Sequence, residues 1–241
     1  MGMIQNFVSD TEKFTLDGVS SDTLGLYCDF LPPMPMAEQK YSEYNIGEDE
    51  TLVAPDDVYS NITYVIRFYT FLADNYNDTE IKAFCANKSI LTLSRFPGYY
   101  FKIRKVSLTA ADNLGYGKRI DYTLVLTLAP FRYVVTNPQV TLETSGSEVI
   151  NWNTRFSKPE FEITGTDDIT LTVNGSDFTV TGLTLSQTIT IDSTLHQTYS
   201  GNTLLTCQTS GKYPLFNIGI NTVSWSGNIT SVKYKGNWRD Y

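Results

Sequence analysis

Ile169-Thr170-Leu171-Thr172-Val173-Asn174-Gly175-Ser176-Asp177-Phe178-Thr179-Val180 is the stretch whose reading decides the fold. Apolar and polar residues alternate on both sides of Asn174-Gly175, the pair best able to supply the two positive φ angles of a type I′ turn. A two-residue loop there pairs Val173 with Ser176, Leu171 with Phe178 and Ile169 with Val180. The last two pairs place large apolar groups opposite one another on one face, so turn chemistry and core demand the same register. The alternation extends outward to Phe161 and Ile163 before the hairpin and to Leu185, Ile189 and Ile191 after it. The final residues, 187–241, continue as short alternating segments broken by Gly and Asn. Many short strands at roughly 8–12-residue spacing predict a β-sandwich.

The first half is also strand-rich but organised differently. Residues 13–31 read as two short strands about an Asp-Gly turn, which Pro32, Pro33 and Pro35 end by removing ladder donors. Between 38 and 57, Glu38, Glu43, Glu48, Asp49, Glu50, Asp56 and Asp57 stand against Lys40 alone, so self-repulsion predicts a loop or extended arm able to face a basic partner. Ile62, Tyr64, Ile66 and Phe68 mark a strand. Asp78 as N-cap, with Ile81, Phe84 and Cys85 on one face, predicts a short helix to about Lys88. A strand at 90–93 follows. Tyr99, Phe101 and Ile103 then give way in phase to Val106 and Leu108, which calls for a bulge or bend near Arg104-Lys105. Ile120 to Leu128 is a clean period-two strand. Arg95, Lys102, Arg104, Lys105, Lys118 and Arg119 make this region basic, in contrast to the acidic arm. The contrast suits contact between neighbouring copies of the chain, although half-solvated strands carry such charges by default. Residues 130–138, bracketed by two prolines, read as a linker, giving domains 1–136 and 137–241.

Composition narrows the function. The chain has 241 residues and a net charge of −8, and neither half carries the basic excess that holds a protein on nucleic acid. Cys28, Cys85 and Cys207 are too few and too dispersed for a disulfide framework or a metal site and read as small buried residues. Residues 1–10 lack the basic region and apolar core of a secretory signal, and no run approaches the ~20 apolar residues of a membrane helix. The one histidine, His196, has no second His or nearby Cys for zinc and would have to carry any nucleophilic triad alone. Gly115-Tyr116-Gly117 opens no helix, so it is a turn and not a phosphate cradle. Carboxylate pairs such as Asp167-Asp168 are expected by chance among 26 acidic residues. No enzymatic activity, cofactor or metal is expected. Trp152, Trp225 and Trp238 could hold sugar rings if exposed, which keeps a carbohydrate-binding adhesin as the alternative. Trp225 alternates with Val223 and is expected to be buried.

The closing segment resembles the phage distal tail protein family in Ile191-Asp192-Ser193, the Tyr199 region, Tyr213-Pro214-Leu215-Phe216, Gly219-Ile220-Asn221 and Trp238-Arg239. The first half is similar to that family's N-terminal belt domain in its early strand pair near Phe14 and Gly18, its one helix and its two long strands. The resemblance implies a mainly β protein: a β-sandwich-like belt domain with one short helix, followed by a galectin-like β-sandwich. It further implies a structural virion protein of siphophages, made in the host bacterial cytoplasm and located at the tail tip. There a homohexameric ring would join the tube of a long non-contractile tail to the baseplate and leave a channel for tape measure and DNA. Its partners would be itself, the major tail tube protein, the tape measure protein, the tail-tip hub protein and a receptor-binding protein. A head-to-tail ring needs two different complementary surfaces. The basic residues above and the acidic Glu48, Asp49 and Glu50 are the expected ring contacts.

Overall fold

A computed structural model describes residues 12–28, 30–45, 51–72, 77–112, 119–205 and 208–241. The chain divides into two compact units, residues 1–132 with Tyr241, and residues 133–240.

In the first unit, β1 (Phe14–Leu16) and β2 (Val19–Ser20) form a hairpin about Asp17-Gly18, and a 3-10 turn at Ser21–Leu24 replaces the rest of the expected second strand. Next come β3 (Gln39–Asn45), β4 (Thr51–Tyr59), β5 (Ile62–Phe71), α1 (Asp78–Cys85), β6 (Ile90–Leu93), β7 (Tyr99–Asp112) and β8 (Arg119–Val134). The main sheet runs β5-β8-β7-β6-β1-β2. Its apolar residues point one way at every second position: Ile62, Tyr64, Ile66 and Phe68 on β5, and Ile120, Tyr122, Leu124, Leu126 and Leu128 on β8 are buried. The sheet is strongly curled. Phe14 on β1 and Phe68 on β5 lie four strands apart in the order, yet their ring centroids are 5.4 Å apart, so both ends close over one core. Helix α1 adds Ile81, Phe84 and Cys85 to that core. Burial pushes the Cys85 thiol up to about 12, in keeping with an unreactive apolar role. Cys28 is buried as well, and Cys207 lies outside the described residues.

Three local readings need correction here. The N-cap of α1 is Asn77, whose Oδ1 accepts from the Glu80 N–H at 3.3 Å; Asp78 is the first helical residue and pairs with Lys82 at 2.5 Å. Asn and Asp are near-equal caps, and an adjacent pair cannot be ranked from type alone. Residues 39–45 and 51–59 of the acidic stretch pair as β3 antiparallel to β4 in a two-stranded sheet of their own, because their strand-favouring Tyr and Val residues support pairing despite the charge. Pro130 to Val134 is no linker loop but the end of β8. Leu128 and Ala129 are consecutively buried just before Pro130, the irregularity at which a strand tolerates proline. On β7, Arg104 and Lys105 are consecutively exposed and Val106 and Leu108 half-buried, so the inward phase shifts where expected.

The second unit contains β9 (Val140–Leu142), β10 (Ser147–Asn151), β11 (Glu160–Val173), β12 (Ser176–Asp192), β13 (Gln197–Ser200), β14 (Thr203–Leu204), β15 (Thr209–Gly211), β16 (Gly219–Lys235) and β17 (Arg239–Asp240). The predicted hairpin forms in the predicted register, with Leu171 opposite Phe178 and Ile169 opposite Val180, and with Asn174 and Gly175 at φ 52° and 76°. The surroundings differ from many short strands. β11, β12 and β16 are long, and each changes register partway, around Gly165–Ile169, Leu183–Gln187 and Gly227–Ile229. One hydrogen-bonded sheet thereby bends into two layers. Phe161, Ile163, Ile189, Ile191 and Val232 on one side of the irregularities share a core with Leu171, Val173, Phe178, Val180 and Val223 on the other. Leu185, expected to be inward, is 85% exposed. It sits in the bulge between the Gly165–Gln187 and Asp167–Leu183 pairs, which resets the phase so that Leu183 is the buried residue.

The motifs behind the family resemblance prove to be structural pins. Phe216 is fully buried, and its ring meets Phe161 at 5.8 Å, Tyr234 at 5.5 Å and Trp238 at 5.7 Å. A Cβ on Gly236 would overlap the Trp238 ring. The Arg239 guanidinium lies 4.2 Å over Phe156, and its Nε donates to the Phe156 carbonyl at 2.6 Å. Asp192 Oδ1 accepts from the N–H groups of Thr194 at 2.7 Å and Leu195 at 3.0 Å, closing the β12–β13 turn. Replacing Asp192 by Ala is expected to cost about 1 kcal/mol. The three tryptophans all lie in this unit, so their fluorescence in urea reports it selectively. A midpoint equal to wild type would refute the pinning role.

Candidate functional site

The basic residues divide into two sets. Arg95, in the β6–β7 turn, is half-buried. Its Nη2 and Nε donate to Glu12 Oε1 at 2.6 and 3.1 Å, and its guanidinium lies 5.0 Å from the Phe30 ring. Glu12 also accepts from the Leu31 N–H, so this pair ties residue 12 to the unit's core loop. Arg119, at the start of β8, donates to Asp121 at 2.6 Å and covers the Tyr69 ring at 3.7 Å. Both arginines are engaged within their own unit. Arg119 lines an open cleft along β5 and β8 whose apolar wall includes Phe30, Phe68 and Tyr122.

Lys102 is half-buried on β7 opposite Ile90, whereas Arg104 and Lys105 are exposed. The structure brings Arg104 and Lys105 together with two cations that the sequence reading left out, Lys82 and Lys88. The four line one cleft of about 570 Å³ between the end of α1 and β7, with Val106 and Leu108 beneath. A signal for Lys88 was present in the sequence: it lies just beyond a helix C-terminus, where cations are favoured by the dipole. Its convergence with β7 needed the tertiary fold. Lys118 and the acidic residues Glu48, Asp49 and Glu50 lie outside the described residues.

His196 stacks on Tyr213, with centroids 5.1 Å apart and planes at 6°, and so helps hold the β12–β13 turn. Among the described residues no group of three His, Cys, Asp or Glu side chains could hold a metal, and no helix is long and apolar enough to cross a membrane. Of the tryptophans, Trp152 is 85% exposed. Trp238 is half-buried on Phe216. Trp225 is half-buried rather than buried as expected, because β16 shifts register at Gly227, two residues on.

No protein-family model matches the sequence, and no curated protein matches it. Solved structures do. The crystal structure of the Dit protein of phage SPP1, described as a paradigm of the hub adsorption apparatus in phages infecting Gram-positive bacteria, superposes with a TM-score of 0.70 at 11% identity. The match covers 95% of this chain and 98% of that one. Chains of the phage P2 baseplate in its activated conformation, with Ca and with Sr, match at TM-scores of 0.52, at 9% and 10% identity, over 93% of this chain and 96% of theirs. At such identities the shared property is the fold. Across nearly its whole length this chain has the fold of a phage distal tail hub protein.

Proposed function

We propose that the protein is a structural component of a phage tail tip, a distal tail protein of the siphophage type. Six copies form a ring that joins the tail tube to the baseplate around a channel for tape measure and DNA. Its partners are further copies of itself, the tube, tape measure and tail-tip hub proteins, and a receptor-binding protein. The division into an N-terminal belt domain and a C-terminal galectin-like domain near residue 137 belongs to the same reading. The observation that carries it is the end-to-end match, which covers 95% of this chain and 98% of the other. In the ring, Lys102, Arg104, Lys105, Lys118 and the acidic Glu48, Asp49 and Glu50 serve subunit contacts, with Arg95 and Arg119 contributing elsewhere on the ring-forming unit.

The test is the oligomeric state of the purified chain. Light scattering and negative-stain microscopy are expected to show a hexameric ring, lost when Lys102, Arg104 and Lys105 are all changed to Glu. A monomer would overturn the reading, and an unchanged hexamer in the triple variant would remove these residues from the contact. The exposed Trp152 supports a second reading, a carbohydrate-binding adhesin. A monomer that binds glycans through Trp152 would establish that reading in place of the first.

A further inference from the structure

The β3–β4 hairpin stands outside the main sheet of the first unit. Two antiparallel strands with no third strand are marginal in water, yet this hairpin forms its own sheet apart from the main one. It is joined at its base by the Ser60 N–H donating to the Glu38 carbonyl at 2.8 Å. Tyr59, at the end of β4, packs against the core of the unit, with its ring 5.1 Å from Phe131, but other apolar residues of the hairpin face outward. Tyr41, Val53 and Val58 are each more than half exposed. The register sets Tyr41 opposite Pro55 and Glu43 opposite Val53, so Tyr41, Glu43 and Val53 share one face. That face is apolar with an acidic group, on a segment carrying seven acidic residues and one Lys between 38 and 57.

The α1–β7 cleft has the converse chemistry. Val106 and Leu108 give it a half-buried apolar floor, and Lys82, Lys88, Arg104 and Lys105 give it a cationic rim. Lys82 is paired with Asp78. Among the described residues no carboxylate pairs with Lys88, Arg104 or Lys105. A cluster of like charges around an apolar floor is stabilised by an acidic, partly apolar occupant.

We propose that the β3–β4 hairpin of one copy docks, by its Tyr41-Glu43-Val53 face, into the α1–β7 cleft of a neighbouring copy. This rests on the ring reading and deepens it by naming donor and acceptor. Because the two surfaces differ, the contact is head-to-tail and can propagate around a closed ring. It also accounts for a hairpin that exposes apolar side chains without a sheet to cover them.

The experiment places the photo-crosslinker p-benzoylphenylalanine at position 41 of the full chain and irradiates an assembly mixed from 14N- and 15N-labelled chains. A product of twice the 27.1-kDa chain mass is expected, in which position 41 of one isotope is joined to residues 86–88 or 104–108 of the other. Changing Arg104 and Lys105 together to Glu is expected to lower its yield at least about tenfold. Both residues are exposed, so an unchanged thermal melt is expected alongside. An intact ring whose cross-links reach another segment, or stay within one chain, overturns the docking and leaves the ring reading standing. An undiminished yield in the Glu variant also overturns it. A monomer with no intermolecular product overturns both.

Discussion

Gly227→Ala is expected to lower the stability of the second unit by about 3 kcal/mol, from two effects that add. Gly227 lies in β16 at φ +97°, a conformation that L side chains rarely adopt, and this alone costs on the order of 1–2 kcal/mol. A Cβ there would also sit 2.5 Å from the Asp168 carbonyl oxygen and 3.1 Å from the Ile169 Cα. Both atoms are backbone of β11, the strand to which Gly227 is paired through Ile169, so neither can swing aside as a side chain would. Relieving the overlap means opening the central β11–β16 ladder at the place where it turns from one layer of the sandwich to the other. Gly175→Ala is the control. It too has positive φ, at 76°, but opens onto empty space, so it should lose only the conformational part, about 1 kcal/mol. Urea midpoints followed by tryptophan fluorescence, at constant slope, give both values. Equal losses in the two variants would show that the close approach at Gly227 is not the constraint described.

That glycine also shows where the sequence was legible and where it was not. At Asn174-Gly175 and Gly227-Asn228 the same two residue types occur in opposite order within alternating apolar runs. The first was readable as a hairpin turn because Leu171–Phe178 and Ile169–Val180 both gain from that register. The second reads equally well as a turn, but it is a bulge inside a 17-residue strand. Nothing local separates the two, since a bulge is selected by the neighbouring strand. Leu185 was misplaced for the same reason: its exposure follows from a register change set by β11. Helix α1 was legible from its spacing, although its cap lies one residue earlier than expected and it ends at Cys85 rather than about Lys88. The acidic hairpin was not legible from charge, because repulsion along the stretch is outweighed by backbone pairing and by its strand-favouring Tyr and Val residues.

The candidate site was half legible. Charge contrast along the chain pointed to Arg104 and Lys105. Which cations share a surface depends on α1 lying against β7, and that brought in Lys82 and Lys88 and set Arg95 and Arg119 apart. A lysine at the end of a helix has a local reason to be there through the dipole, so its participation in a cleft leaves no mark of its own in the sequence. The motifs of the closing segment were visible as a likeness before their physical reason was. Tyr213 to Phe216 supplies the centre of an aromatic cluster, Asp192 a turn, and Asn221 a buried polar hub.

Asn221→Ala is expected to cost the second unit about 3–4 kcal/mol, because that hub is fully buried and fully used. Asn221 Oδ1 accepts from the Asn217 N–H at 2.7 Å and from Asn174 Nδ2 at 2.7 Å. Its Nδ2 donates to the carbonyls of Gly219 at 2.9 Å, Asn217 at 3.0 Å and Val149 at 3.3 Å. Asn174 closes the circuit by accepting from the Thr222 N–H at 3.1 Å. One amide therefore joins β10, β16, the loop before β16 and the Asn174-Gly175 turn. Truncation leaves a buried N–H and several carbonyls without that amide, and each orphaned group costs on the order of 1–3 kcal/mol. Asn221→Asp separates hydrogen bonding from shape. It keeps both contacts at Oδ1 but turns a carboxylate oxygen toward three carbonyl oxygens, so at neutral pH it should be at least as damaging as Ala. Burial and those carbonyls favour the neutral acid, so the introduced carboxyl has its pKa raised in the folded state. Between the unfolded pKa, near 3.9, and the raised folded value, the native state then holds the extra proton. The deficit of the Asp variant relative to wild type should therefore shrink as pH falls from 7 toward 4, while that of the Ala variant stays level. Fluorescence-detected urea midpoints at several pH values measure both. An Ala variant within about 1 kcal/mol of wild type, or an Asp variant whose deficit ignores pH, would mean that Asn221 is not the hub of this network.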